Sequence, residues 1–172
     1  MKTVLAFSLF FPLLGLFGGF GVKATGRNEK PKGELESYEY GYSTMARFPN
    51  EYFQLRRDGT GMLCIYFSKD LEDDICVIQA PDDALEHIAG IVRDCKMHRL
   101  RSSYRPRMEV LDGYAWHCFL KFTDGYISSG GSNAGAQGKP GSGVYAINNY
   151  IRSLIDASTE ADIIRHESHL DR

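Results

Sequence analysis

Two Asp-Gly pairs constrain this chain more than any other feature. Asp58-Gly59 sits between EYFQLRR and TGMLCIYF, and Asp124-Gly125 sits between AWHCFLKF and YISS. Asp-Gly supplies the positive φ that a tight turn needs, so each stretch reads as a β-hairpin. Each hairpin then leads to a proline and an amphipathic run. After a further strand, ICVIQA, Pro81 opens a helix with Leu85, Ile88, Val92 and Cys95 on one face. Asp82, Asp83 and Glu86 fall in its first turn, where the helix dipole favours negative charge. Pro140 opens a second helix carrying Val144, Ile147, Ile151, Leu154 and Ile155. Superposing the two prolines aligns Leu85 with Val144, Ile88 with Ile147, Val92 with Ile151 and Arg93 with Arg152. The pattern reads as a ββα unit used twice.

An N-terminal strand, YEYGYSTMARF, adds Tyr38, Tyr40 and Tyr42 along one face at period two. The expected fold is α+β: an antiparallel sheet of about five or six strands with two helices on one face. Residues 37–157 form the expected domain, 25–36 a polar linker and 158–172 a tail that could add a short helix. Hydrophobic residues at 43% and charged residues at 24% match a folded chain and argue against wholesale disorder.

The N-terminus carries an uncharged run from Thr3 to Val22, followed by Val22-Lys23-Ala24 with the small-residue spacing that a signal peptidase reads. Residues 1–24 are therefore expected to be a signal peptide, making the protein secreted or periplasmic. Cleavage would remove Lys2 and Lys23 and no acid, moving the net charge from −2 to −4. The alternative is a retained membrane anchor over residues 3–22, with Lys23, Arg27, Lys30 and Lys32 just beyond it. Pro12 and the glycines at 15, 18, 19 and 21 make that run a poor continuous helix. Four cysteines, Cys64, Cys76, Cys95 and Cys118, permit two disulfides in three pairings, and no CxxC spacing supports a zinc knuckle.

Motifs for chemistry are incomplete. In GGSNAGAQGKPGSG (130–143), Asn133 and Pro140 stand where a phosphate loop needs glycine and a hydroxyl, so the segment reads as a mobile connector. Cys118 beside His117 suggests a thiol nucleophile, but neighbours in a strand point to opposite faces, so another histidine, His87 or His98, would have to serve as base. Asp162, His166 and His169 would line one face of a terminal helix as a metal clamp, although HESH falls one residue short of H-E-x-x-H. Asp70, Glu72, Asp73 and Asp74 lack the ordered spacing of a calcium loop. No motif implies a cofactor. KMHRLRSSYRPR (96–107) concentrates positive charge, with Arg99, Arg101, Arg105 and Arg107 as candidate contacts to an anionic partner. Net acidity disfavours nucleic acid as that partner. Tyr38, Tyr40 and Tyr42 are candidate contacts to a protein or glycan.

At AWHCFLKFTDGYISSGGSNA and the helix YAINNYIRSLI, the chain resembles small uncharacterised domains of exported bacterial proteins. The resemblance covers about residues 114–157 and implies no catalytic residues. The functional expectation is an exported or surface-tethered, non-enzymatic binding domain that meets the membrane only through an uncleaved N-terminal segment. The alternative is a small hydrolase or transferase with Cys118 as nucleophile.

Overall fold

The computed structural model describes residues 21–44, 50–68, 74–108, 110 and 113–167. The first half of the chain forms β1 (Val22–Thr25), β2 (Leu35–Thr44), β3 (Glu51–Arg57), β4 (Leu63–Ser68), β5 (Ile75–Gln79) and α1 (Ala84–Asp94). The second half forms β6 (Ser103–Pro106), β7 (Tyr114–Phe122), β8 (Gly125–Ser132), α2 (Gly138–Ala157) and β9 (Ile163–Glu167). All nine strands join one sheet in the order β1-β6-β8-β7-β2-β3-β4-β5-β9. The fold is α+β, as the sequence indicates, but the sheet is larger than five or six strands. It is also mixed, because β6 runs parallel to β8 while the other pairings are antiparallel.

Both hairpins form. In the first, Asp58 does the turning more than Gly59: its Oδ1 accepts bonds from the Thr60 amide, the Thr60 hydroxyl and the Met62 amide at 2.8, 2.7 and 3.1 Å. The left-handed residue is Gly61, at φ 89°, so the turn is longer than a two-residue Asp-Gly loop. In the second, Phe122 pairs with Gly125, leaving only Thr123 and Asp124 between the strands. The segment after β8 is no mobile connector. Asn133 sits at φ 53°, its backbone and side chain bond both polar backbone atoms of Tyr114, and Trp116 Nε1 donates to Ala134 O at 2.8 Å.

The extra strands β1, β6 and β9 come from segments outside the two hairpins and helices. β1 pairs all four of its residues with β6, from Val22 opposite Pro106 to Thr25 opposite Ser103. The anticipated cleavage point after Ala24 therefore lies inside a paired strand. Between β1 and β2, Asn28 ties the polar segment to the body by donating to Leu100 O and accepting from Ser128 N, each at 2.9 Å. At the other end, Ile163–Glu167 forms the edge strand β9 in place of a helix. The bulk of the N-terminal leader, residues 1–20, lies outside the described residues.

The core sits between the sheet and the two helices. Tyr38, Leu55, Ile65, Ile78, Leu120 and Ile127 lie in one cross-strand row, and they form a single buried cluster with Ile88 and Val92 of α1 and Val144, Ile147 and Ile151 of α2. Gly143 allows α2 to approach the turn after α1, since a Cβ there would lie 2.8 Å from carbons of Cys95 and Met97. One polar contact crosses this core: the fully buried Tyr38 hydroxyl donates to Asn148 Oδ1 at 2.6 Å. On the opposite sheet face, Cys64, Tyr66, Ile75 and Val77 form a smaller buried cluster. The Arg56 guanidinium covers the Tyr66 ring at 3.9 Å, and Arg165 of β9 donates to Tyr66 Oη, Asp58 and Glu167.

Two predictions follow from these contacts. Tyr38→Phe leaves Asn148 Oδ1 buried without its donor, and urea unfolding should show a loss of about 1–3 kcal/mol. Tyr38→Phe with Asn148→Leu should recover part of that loss, because both polar atoms are then gone. Bonds from Thr60, with help from Arg165, lower the Asp58 carboxyl from 3.8 to about 2. A carboxyl lowered on folding stabilises above its unfolded value, and that contribution is lost as pH falls through the folded one. The stability gap between wild type and Asp58→Asn should therefore stay constant from about pH 7 to pH 5 and shrink below about pH 4.

Candidate functional site

The inward faces of β2 and β3 alternate aromatic residues that outreach the helices covering them. Tyr40 stacks on Phe53 with centroids 5.3 Å apart, and Tyr42 stacks on Tyr114 at 5.6 Å. The helix α2, at 20 residues and about 30 Å, leaves a cleft beside its C-terminal half, where Arg152, Ile155 and Asp156 line it. That cleft has a cavity volume of about 510 Å³, with Tyr40, Tyr42, Phe53, Phe67 and Ile155 as its apolar lining.

A fixed ion pair forms its polar side. Arg152 Nε and Nη2 donate to Glu51 Oε1 and Oε2 at 2.7 and 2.6 Å, a two-pronged contact that fixes both planes. The Glu51 bonds hold the Arg152 guanidinium above its ordinary value, so its charge is permanent. Burial, followed by the negative charge of Glu51, pushes the Tyr40 phenol up to about 12. Tyr40 and Tyr38, two of the three phenols on this strand, therefore serve as neutral groups near pH 7, with complete burial raising Tyr38 well above its ordinary value.

A second chamber of about 460 Å³ adjoins the first and shares Phe67, Ser68 and Ile155 with it. Its far side is built from β5, β9 and the turn between α2 and β9, which contribute Cys76, His166, Asp74 and Glu160. Cys76 and His166 are direct partners in the β5–β9 register, and Cys76 Sγ lies 3.6 Å from His166 Nδ1.

The residues singled out in the sequence fare differently. Tyr40 and Tyr42 line the cleft, whereas Tyr38 belongs to the core. Cys118 is 1% exposed among Trp116, Leu120 and Tyr40, and burial pushes its thiol up to about 12. His117 points to the opposite sheet face, where its Nε2 lies 3.3 Å from Glu39 Oε1. The other histidines do not compensate: His87 packs on the Tyr150 ring at 4.2 Å, and His98 sits among Lys30, Lys96 and Arg99. Among the described residues no histidine pairs with Cys118, and all four cysteines are thiols.

The metal clamp is also corrected. The expected helix does not form: Asp162 ends the 3-10 turn Glu160–Asp162, and His166 lies in the strand β9 that follows. Asp162 instead accepts the Thr159 amide and hydroxyl at 2.7 Å each, closing a capping box. His169 lies outside the described residues, as do Asp70, Glu72 and Asp73. Among the described residues no group of three or more metal-ligating side chains converges, and no helix is long and apolar enough to cross a membrane.

The arginines gather at the β1–β6 edge, away from the cleft. Arg99 ends the 3-10 turn Met97–Arg99, and Arg101 Nη1 donates to Gly26 O at 3.4 Å. Arg105 lies directly opposite Lys23, and the Arg107 amide donates to Gly21 O. No ion pair among the described residues engages these four arginines. Burial, and then the charges of Lys30, Arg99 and Lys96, lowers the pKa of His98 in the same region.

The sequence gives no sign of Glu51 with Arg152 or of Cys76 with His166, which lie 101 and 90 residues apart. Only strand register brings such pairs together. No protein-family model, curated protein or solved structure matches this chain.

Proposed function

We propose that this protein is a non-enzymatic binding domain whose cleft beside α2 receives a small neutral ligand with a flat apolar body and one or two hydrogen-bonding groups. The observation that carries the reading is the aromatic-walled cavity above the Glu51–Arg152 pair. Its volume falls in the range of small-molecule sites, which combine apolar walls with a few fixed polar groups. Glu51 already engages Arg152 through two bonds, so the pair offers polar edges without net charge. A bare anion would have to displace a two-pronged carboxylate, which disfavours it here. The raised Tyr40 phenol keeps its proton and can donate to a ligand carbonyl or hydroxyl.

The neutral dye N-phenyl-1-naphthylamine tests this reading. Native protein should enhance its fluorescence saturably. Ile155→Trp, which fills the cavity, should weaken that binding at least tenfold, and Tyr42→Ala should weaken it too, whereas Tyr126→Ala on the outer sheet face should not. Saturable enhancement unchanged in folded Ile155→Trp and Tyr42→Ala proteins, or no enhancement by native protein, overturns the proposal.

We also propose that the domain works at a membrane surface, tethered through the Thr3–Val22 run. Cleavage after Ala24 would take Val22, Lys23 and Ala24 away from β6, while retention keeps β1 whole; that pairing supports the tether over the secreted form. Intact mass of protein from fractionated native cells should give a membrane-associated chain that retains β1. A soluble chain beginning at Thr25 would refute the tether.

A further inference from the structure

We propose that Cys76 and His166 form a thiol–imidazole couple in the second chamber, and that it undergoes exchange with small cationic disulfides. The couple is a product of sheet register. Directly opposed residues of an antiparallel pair project to the same face with Cβ atoms about 4.5–5.5 Å apart, and here Sγ reaches to 3.6 Å from Nδ1. The other three thiols lack this arrangement. Cys64 and Cys118 are fully buried in the two opposite faces of the sheet, while Cys95 is half-buried at the end of α1 against Gly143. Cys76 is half-buried and His166 exposed, and both line a cavity of about 460 Å³ that a small reagent can enter.

The step balances without any further reagent. With its ring proton on Nε2, His166 takes the Cys76 thiol proton on Nδ1. The thiolate attacks one sulfur of the incoming disulfide, whose S–S bond breaks as the Cys76 mixed disulfide forms. The departing thiolate takes the proton back from His166. Cys76 is thereby oxidised, and half of the reagent leaves reduced as its thiol.

Charge sets the preference among disulfides. Apart from His166, the charged groups lining the chamber among the described residues are Asp74 before β5 and Glu160 in the turn preceding β9. Both are exposed carboxylates, so they draw a cationic reagent and repel an anionic one, with salt weakening the bias.

Exchange with cystamine and with 3,3′-dithiodipropionate, followed by peptide mass mapping of the full chain, tests the proposal. Cystamine should modify Cys76 at least tenfold faster than Cys95, and at least fivefold faster than the dianionic reagent does, with that second ratio falling in high salt. Cys76→Ser should abolish the fast addition. His166→Gln should slow it at least tenfold while leaving the urea midpoint and naphthylamine binding unchanged. Asp74→Asn with Glu160→Gln should erase the charge preference but keep the fast thiol. Equal rates at Cys76 and Cys95, an unchanged rate in His166→Gln, or no preference between the two reagents would overturn the proposal. Loss of dye binding alone would count against the cleft as a ligand site and leave the thiol couple standing.

Discussion

The architecture hinges on β2 and the inward row that its tyrosines occupy. β2 is the fifth of nine strands and pairs with β7 on one side and β3 on the other, so it alone joins the two hairpins into one sheet. Its residues then divide their roles by depth. Tyr38 is sealed beneath α2 and must find a partner for its hydroxyl, which Asn148 provides. Tyr40 sits nearer the rim, and Tyr42 reaches the open cleft. One stripe of identical side chains at period two thus grades from core to surface, because the helix above it covers only part of its length. The position of α2, fixed by the Tyr38–Asn148 bond and by Gly143, decides where the covered part ends.

Local patterns made much of this fold readable. The two hairpins, the strand at Ile75–Gln79 and both amphipathic helices carry periodicities that physical chemistry enforces in short windows. The alternation also placed Cys118 in the core and His117 on the outer face, as found. What escaped lacks such periodicity. β1 and β6 are four residues each, and β9, IIRHE, is five residues with no apolar-polar alternation to mark it as a strand. These strands form because a neighbouring edge offers unpaired backbone groups, which is a property of the assembled sheet. The Gly-rich segment misled for the opposite reason. Its composition suggests slack, yet the Trp116 indole and Asn133 amide bind it to the end of β7.

The candidate sites were the least legible part, and for a common cause. Glu51 with Arg152, and Cys76 with His166, each join the first half of the chain to its last quarter. Nothing near either residue in sequence hints at its partner. By contrast, the basic run at 96–107 was evident at once, yet the fold divides it between a 3-10 turn, a loop and the strand β6 next to the sheet edge. Charge clustered in sequence became a border on the β1–β6 side, while the carboxylates of Asp74 and Glu160 mark the β5–β9 side. Among the described residues, charge is thus distributed unevenly along the sheet even though the net charge is only −2.

That lopsidedness has a mechanical counterpart in the placement of the first and last strands. β1 and β9 are the outermost strands, so the eight intervals between them, at about 4.8 Å each, separate these two strands by about 38 Å along the sheet. A chain fixed to a surface through the residues before Val22 would carry its cleft over β2 to β4 about 20–30 Å along the sheet from the attachment point. The sheet would then work as a rigid arm. Its arginine-bearing β1–β6 side would then lie nearer the attachment point than either of its two chambers.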